Sequence, residues 1–245
     1  MRVVQDQSPP LALEGVEKAF GPLRVIRGVD VTFCSGESVA IIGPNGAGKT
    51  TLIKIVLGLV GADAGEVEVF GESVHGAHAY RRYIGYMPQS PAFPEGLTGR
   101  ELIELVRSFR PGVESVEADL IRRFALGEDL DKPASTLSGG TRQKLSAVLA
   151  FMFEPPVLIL DEPTAGLDPV ASASLKDYVR QRVQAGTTVL LTSHVMADLE
   201  ELCSRVVFLM DGRIQFDGTL EGLQAKTGES RLERAIAQLL TREVA

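Results

Sequence analysis

Residues 41–51 read IIGPNGAGKTT, and this stretch decides the fold. The apolar run that leads into it predicts a β-strand, and TTLIKIVLGLV at 50–60 has the period of an α-helix. Between them, GPNGAGKT fits the pattern G-x-x-x-x-G-K-[ST], whose backbone amides wrap a phosphate group. Glycine is required because the loop needs positive φ and a close approach without a Cβ. The stretch therefore predicts a strand–loop–helix unit that binds a nucleotide.

Within this loop, three side chains have chemistry suited to phosphate. We expect the Lys49 ammonium to reach the β- and γ-phosphates and the Thr50 hydroxyl to coordinate Mg²⁺. Thr51 is expected near the α-phosphate, at the positive end of the helix.

Two later segments end in polar residues suited to the same site. VLILDEP at 157–163 predicts a buried strand that ends at Asp161, which we expect to bind Mg²⁺ through water. A second carboxylate beside phosphates would be repelled unless it had a task, so Glu162 is predicted to accept a proton from the attacking water. His194 ends the strand TTVLLTSH, and such strand ends face the ligand crevice in α/β folds. It is predicted to contact the γ-phosphate.

The rest of the chain alternates strands and helices around the glycine loop, which predicts an α/β class. Helical periodicity replaces this pattern over 90–155, and we predict an inserted helical subdomain there. The nucleotide-binding core is predicted over 11–89 and 156–220, within a single domain spanning 1–245. A tail at 221–245 contains an amphipathic helix. This helix could pack on its own domain or contact a partner.

Composition narrows the function classes. The net charge of −7 over 245 residues does not favour a nucleic-acid-binding protein. No apolar run reaches the ~20 residues of a membrane span, and the first residues lack the pattern of a signal peptide. Cys34 and Cys203 lack metal or redox spacing and are expected to be reduced, small buried hydrophobic residues. His75 and His78 have no third ligand at metal spacing, so we predict a solvated loop there.

LSGGTRQK at 137–144 has the chemistry of a second anion site. This raises the question of why one chain would need a second phosphate binder. The segment has no lysine at the phosphate position and no strand–loop–helix unit of its own. A second phosphate binder of this kind would be redundant if it served the nucleotide already held by residues 43–51.

LSGGT between GPNGAGKTT and VLILDEP resembles the ABC ATPase family, over roughly residues 11–220. The remaining family motifs also occur in order: an aromatic residue in EKAFG, YMPQ, AGLDP and TSH. LSGGT is the signature motif of the family, and it has Thr141 here where glutamine is common. The aromatic residue in EKAFG is Phe20, where the family commonly has tyrosine.

The resemblance implies a P-loop NTPase (RecA-like) core with an antiparallel β-subdomain and the inserted α-helical subdomain. It also implies ATP hydrolysis with Mg²⁺. Catalytic roles are implied for Glu162, His194, Gln89 and Lys49, and Mg²⁺ contacts for Thr50, Gln89 and Asp161. The residues implied to contact ATP are Phe20, Gly43, Pro44, Asn45, Gly46, Ala47, Gly48, Lys49, Thr50, Thr51, Ser138, Gly139, Gly140 and Asp168.

The resemblance further implies a head-to-tail dimer, in which Ser138, Gly139 and Gly140 of one subunit cap the γ-phosphate held by the other. This answers the question raised by LSGGTRQK, because the lysine comes from the partner. One set of motifs predicts a homodimer, or a heterodimer with a similar chain.

Three cellular roles fit such an ATPase: powering a transporter, acting in DNA repair or chromosome organisation, and acting in translation. A transporter subunit would need a separate permease, seated in a groove near Gln89 and residues 93–107. A DNA-repair or chromosome-organising ATPase would have a long coiled coil before the signature, and a translation-associated ATPase would have two sets of motifs; this sequence has neither. We therefore predict a transporter subunit bound through its permease to the cytoplasmic face of the bacterial inner membrane, without nucleic acid.

Within transporters, the segments around LDPVASASLKDYVRQR and the short tail resemble the ABC-2 export type. IGYMPQSPAFPEGLTGRELIELV and LSGGTRQKLSAVLAFMFEP resemble the ATPase of Nos-type transporters, which support copper-site maturation of nitrous oxide reductase. This implies a periplasmic partner reached through the permease. Export of a drug, lipid or polysaccharide is the alternative, and no residue of this chain is expected to bind copper.

Overall fold

The structure is a computed structural model that describes residues 8–242, with side chains described as far as residue 240. The strands are β1 Leu11–Phe20, β2 Leu23–Phe33, β3 Ser38–Ile42, β4 Ala64–Val69, β5 Glu72–Ser73, β6 Ile84–Met87, β7 Val157–Asp161, β8 Thr188–Thr192, β9 Arg205–Met210 and β10 Arg213–Thr219. The helices are α1 Lys49–Val56, α2 Gly99–Ser108, α3 Glu117–Arg123, α4 Gly139–Phe151, α5 Pro169–Gln184, α6 Met196–Leu202, α7 Leu220–Thr227 and α8 Leu232–Arg242. Two short 3₁₀ helices span Ala79–Tyr83 and Ala134–Thr136.

The central sheet has six strands in the order β10-β9-β3-β8-β7-β6. All neighbours run parallel except β10, which pairs antiparallel with β9 at one edge. Every residue of β3, β7 and β8 is buried, because helices or the second sheet cover both faces. This explains why these strands read as continuous apolar runs rather than as alternating ones.

A second sheet, in the order β2-β1-β4-β5, is antiparallel throughout. Its buried residues share one core cluster with α1 and with one face of the central sheet, including Leu11, Val29, Leu52, Ile41 and Val69. The glycine loop and α1 are thus held between two sheets. The predicted α/β class, with an antiparallel sheet and inserted helices, is confirmed.

Helices α2, α3 and α4 leave the central sheet after β6 and return to it at β7. These two strands are parallel neighbours, so both ends of the helical insert are attached at one side of the sheet. Helix α2 begins with a capping box, in which Thr98 Oγ1 accepts from Glu101 N at 3.2 Å and Glu101 Oε2 accepts from Thr98 N at 2.8 Å. The exact domain boundaries stay a prediction.

The apolar run in RVVFLMDGRI, at 205–214, predicts one strand, but this prediction is wrong, because the segment divides into β9 and the start of β10. Asp211 and Gly212 form the turn, with φ values of 48° and 75°, and an Asp-Gly pair favours this kind of hairpin turn.

The tail helix α8 packs on its own domain. Leu232, Ala235 and Leu239 are buried, and Ile236 and Leu240 pack against the same core cluster. The first of the two interpretations of this helix is therefore confirmed.

The two cysteines differ in their surroundings. Cys203 is buried, and its burial raises the pKa of the thiol to about 12. Cys34 is exposed, so the expectation of a buried residue is wrong there. Within residues 8–242, no helix combines the length and the apolar character that crossing a bilayer requires.

Candidate functional site

Four polar segments lie at the carboxyl ends of four adjacent parallel strands, β3, β8, β7 and β6. The glycine loop follows β3, His194 follows β8, Glu162 follows β7, and Gln89 follows β6. Ligands of open α/β sheets bind at this edge. The topology therefore brings the sequence motifs of the nucleotide site to one side of the sheet.

The glycine loop is shaped by close backbone contacts. A Cβ on Gly43, whose φ is 156°, would lie 2.0 Å from the carbonyl oxygen of Leu209. A Cβ on Gly48, whose φ is 106°, would lie 2.7 Å from Ile26 Cδ1. Any other residue at either position would displace the loop from the strands behind it.

The loop is also held by backbone hydrogen bonds. Ala47 O accepts from Gly212 N at 3.2 Å, so the turn between β9 and β10 supports it. Ala47 N donates to Pro44 O at 3.2 Å, so this amide, which we predicted to face a phosphate, has a partner within the loop here. Gly48 precedes α1 in a left-handed conformation and has no side chain to cap that helix. The first turn of α1 is therefore open to an anion.

The side chain of Lys49 folds back against the glycine loop that precedes α1. Its Nζ donates to Gly43 O at 2.6 Å and to Pro44 O at 3.2 Å. Burial holds the pKa of Lys49 below its ordinary value, and the carboxylates of Glu162 and Asp161 offset only part of this effect. The ammonium thus lies close enough to both carboxylates to interact with them electrostatically.

Asp161 and Glu162 are both buried at the end of β7, and Thr192 of the neighbouring strand organises them. Thr192 Oγ1 donates to Asp161 Oδ1 at 2.5 Å. The same oxygen accepts from Glu162 N at 3.1 Å, and Thr192 O also accepts from Glu162 N at 3.1 Å. Sequence reasoning missed Thr192, although its place in TSH, at the end of a core strand beside Asp161, could have indicated it.

The Glu162 carboxylate faces His194. His194 N donates to Glu162 Oε2 at 3.1 Å, and Nε2 of the imidazole lies 3.4 Å from Oε1. The Glu162 side chain is 11% exposed and that of His194 is 62% exposed. The φ of Glu162 is 52°, a left-handed conformation that non-glycine residues seldom adopt. Such a conformation in a polar cleft is typical of a functional position.

Two predicted site residues lie further out. Gln89 is exposed, two residues after β6, and no hydrogen bond joins it to the carboxylates in the described part of the chain. Phe20 is half-exposed at the end of β1, and the Lys18 ammonium lies 5.4 Å from its ring centroid. An exposed aromatic face of this kind is available for stacking.

The segment LSGGT forms the start of α4, on the helical insert. Ser138 caps this helix, since its Oγ accepts from Thr141 N at 3.1 Å. Gly139 is exposed, and a Cβ there would have no atom within 4 Å. A Cβ on Gly140 would lie 2.8 Å from Gly166 O, so the helix start packs closely on AGLDP.

Asp168 in AGLDP links two helices. Its Oδ1 caps α5 by accepting from Ala171 N at 2.8 Å, and its Oδ2 pairs with Lys144 Nζ of α4 at 3.0 Å. These hydrogen bonds lower the pKa of Asp168.

Among residues 8–242, the side-chain hydrogen bonds of Ser138 run to Thr141, not to the glycine loop. Ser138 and Gly139 are exposed while Leu137 is buried, so these two residues form the accessible part of LSGGT.

Asp161 is predicted to bind Mg²⁺, so Thr192→Val is expected to weaken Mg²⁺ binding by about tenfold to a hundredfold, the usual cost of losing a hydrogen bond that orients a metal ligand. Valine has nearly the same shape but cannot donate to Asp161, so the carboxylate loses its fixed orientation. The Mg²⁺ concentration that gives half the maximal rate of the predicted ATP hydrolysis measures the effect. Thr188→Val, on the same buried strand, is the matched control, because Thr188 Oγ1 donates to Cys34 O instead. Equal Mg²⁺ dependence of both variants would contradict the assignment.

Comparison with known proteins agrees with the arrangement. Residues 26–165 match the family described as ABC transporter. The chain is 38% identical over 228 residues to a daunorubicin resistance ATP-binding protein of Streptomyces coeruleorubidus, covering 91% of this chain and 72% of that protein. It is 36% identical over 220 residues to a Nod factor export ATP-binding protein of Burkholderia lata, covering 87% and 72%.

Solved structures show the same fold. One is titled as the ATP-binding subunit of an ABC transporter and superposes with a TM-score of 0.88 at 32% identity, over 94% of this chain and 99% of that one. Another, a dimeric ATP-binding cassette in a post-hydrolysis state bound to ADP and Pi, has a TM-score of 0.77 at 24% identity, over 86% and 98%. The glycine loop, the paired carboxylates and these similarities lead to one conclusion: the chain belongs to the ABC transporter family and is an ATP-binding ATPase of that family.

Proposed function

We propose that this chain is the ATPase subunit of an ABC-2-type exporter and hydrolyses ATP as a head-to-tail dimer. The observation that carries the proposal is the grouping of Lys49, Asp161, Glu162 and His194 at one sheet edge, while LSGGT lies on another surface. The first group can hold and hydrolyse a nucleotide. The second provides a cap for a nucleotide held by another subunit.

In the proposed reaction, water attacks the γ-phosphorus in line with the bond to the leaving ADP oxygen. Glu162 takes one proton from this water as the new P–O bond forms and the bond to ADP breaks. Lys49 and His194 would stabilise the charge on the phosphoryl oxygens. His194 already contacts the Glu162 carboxylate, so base and charge stabiliser are positioned together.

The residues present fit a magnesium ion. Asp161 offers a buried carboxylate oriented by Thr192, and Thr50 offers an exposed hydroxyl at the start of α1. Oxygen ligands and phosphates are the ligands that Mg²⁺ prefers. When bound, the ion would neutralise charge on the β- and γ-phosphates. Gln89 would complete the Mg²⁺ contacts after a movement of the segment that follows β6.

The dimer is proposed because, among residues 8–242, the hydrogen bonds of the Ser138 side chain do not reach the glycine loop of its own subunit. Ser138 and the amides of Gly139 and Gly140 would provide donors to the γ-phosphate held by the Lys49 of the partner. The exposed position of Ser138 and Gly139 is compatible with such a contact. The dimeric state of the cassette bound to ADP and Pi is a precedent within the same fold.

We propose that ATP hydrolysis by this chain drives export through a separate permease, to which the chain binds at the cytoplasmic face of the inner membrane. Relatives that act in drug resistance and in Nod factor export support this direction of transport. Leu105 and Phe109 of the α2 region are exposed on the helical insert, and they would offer apolar contacts to a permease. The transported substrate would be chosen by the permease.

A finer candidate is the Nos-type transporter, with a periplasmic partner and a role in copper-site maturation of nitrous oxide reductase. It rests on the resemblance of residues 84–106 and 137–155 to that ATPase. The relatives described above bear names from drug resistance and Nod factor export instead.

One experiment separates these outputs. The chain carrying an affinity tag is captured from detergent-solubilised membranes of its own host, and the host is also assayed after deletion of the gene. An integral-membrane permease is expected among the captured proteins. Capture of a ribosome or of chromosomal DNA instead would overturn the transporter proposal. Copper-deficient nitrous oxide reductase in the deletion strain would support the Nos-type candidate, and fully loaded enzyme would exclude it.

A further inference from the structure

Gln143 is a buried polar residue that the mechanism above does not use. It lies on α4, four residues after Gly139, and its side chain is almost completely buried. Its amide nitrogen Nε2 lies 3.4 Å from Glu162 O and 3.3 Å from Pro163 O. Both neighbours are carbonyl oxygens, so the amide must present its nitrogen to them.

These contacts complete the fixation of the Glu162 backbone. Its N–H donates to Thr192 of β8, and its carbonyl accepts from Ala165 N at 3.1 Å within the same segment and from Gln143 Nε2 of α4. A residue with φ of 52° keeps this conformation when its surroundings impose it. The direction of the Glu162 side chain follows from its backbone, and this direction places the carboxylate against His194.

We infer that Gln143 is a positioning residue for hydrolysis, which links the orientation of the signature helix to the orientation of Glu162. The helix that presents Ser138 and Gly139 to a partner's nucleotide is the same helix that holds the backbone of the base. A shift of α4 on dimer formation would thus reach the subunit's own Glu162 directly through the Gln143 side chain. The inference rests on the proposed role of Glu162 as the base.

A purely structural role for Gln143 predicts different measurements. A buried amide that only joins a helix to a loop affects stability, and its loss lowers the melting temperature while folded protein keeps its kcat. A positioning role lowers kcat and leaves the affinity for ATP unchanged, because the side-chain hydrogen bonds of Gln143 within residues 8–242 run to Glu162 and Pro163 and not to the glycine loop.

The test uses Gln143→Met, which keeps the length of the side chain and removes the donor. We expect kcat to fall by about tenfold to a hundredfold, as for other residues that orient an active-site group, with KM for ATP within about twofold. Ser146→Ala is the matched control, since it removes a buried polar atom from the same helix one turn later. This control is expected to keep the wild-type kcat. Wild-type kcat in folded Gln143→Met would overturn the inference, and so would an equal loss in both variants.

Two further measurements keep the outcome decisive. If Gln143→Met does not fold, Gln143→Asn replaces it, because its amide is one methylene too short to reach the carbonyls; wild-type kcat in this variant would equally overturn the inference. In a Glu162→Gln background, Gln143→Met should leave ATP-driven dimerisation unchanged. Loss of dimerisation in this double variant would overturn the inference, because it would show that Gln143 orients LSGGT instead.

Failure of the proposed function is recognised separately. If Glu162→Gln alone keeps the wild-type rate, the base assignment fails and the role of Gln143 falls with it. If Glu162→Gln abolishes turnover while Gln143→Met does not change it, only the role of Gln143 is wrong.

Discussion

Replacing Glu162 by glutamine is expected to lower ATP turnover by about a thousandfold, within the range that general-base catalysis supplies. Glutamine has the same shape and its carbonyl oxygen still accepts from His194 N, so the fold of the segment should persist. It cannot take a proton from water at neutral pH. ATP should therefore bind with unchanged affinity but remain intact.

A second consequence concerns assembly. If ATP joins two subunits and hydrolysis releases them, Glu162→Gln should accumulate as a dimer when ATP and Mg²⁺ are present. Size-exclusion chromatography with light scattering measures this, beside a phosphate-release assay. Glu154→Gln is the control, because Glu154 is another acidic residue of positive φ, but it follows α4 and pairs with Arg182. A Glu162→Gln protein that hydrolyses ATP at the wild-type rate would remove Glu162 from the mechanism.

The sequence allowed the prediction of those site residues whose chemistry depends on local spacing. A glycine loop between an apolar strand and a helix specifies its own conformation, so residues 43–51 could be recognised without a structure. Likewise, carboxylates that directly follow a buried strand must lie at the sheet edge, and Asp161 and Glu162 do so.

Contacts between distant segments could not be predicted in this way. Thr192 and Gln143 contact Glu162 from positions 30 and 19 residues away, and although each lies in a recognisable segment, TSH or LSGGTRQK, the segment itself does not reveal this contact. The exposure of Cys34 similarly depends on where the end of β2 lies relative to its neighbours. Residues that hold a catalytic group are thus harder to find than the group itself, because their role depends on tertiary packing.

The proposed head-to-tail dimer predicts that Gly139→Asp will abolish ATP-driven dimerisation and leave nucleotide binding to the isolated subunit intact. Gly139 is exposed at the first position of α4, and a Cβ there meets no atom within 4 Å. An acidic residue in the first turn also favours the helix. The subunit should therefore fold normally, while the new carboxylate faces the γ-phosphate of the partner's ATP and repels it.

Two companion variants separate charge from bulk. Gly139→Asn adds nearly the same volume without charge and is expected to dimerise better than Gly139→Asp. Ser138→Arg should block dimerisation by its size, but it also removes the cap on Thr141 N, which costs about 1 kcal/mol of stability. Dimerisation is measured in the Glu162→Gln background, where hydrolysis does not reverse it, and nucleotide binding is measured by calorimetry on the monomer.

The monomer measurement decides the question that LSGGTRQK raises. If LSGGT served the nucleotide of its own subunit, Gly139→Asp would weaken ATP binding at any protein concentration. If it caps the nucleotide of a partner, the defect should appear only in assembly. If Gly139→Asp binds ATP normally as a monomer and never dimerises, the γ-phosphate that LSGGT contacts is held by the glycine loop of the partner. The lysine that LSGGTRQK lacks is then supplied by the second subunit.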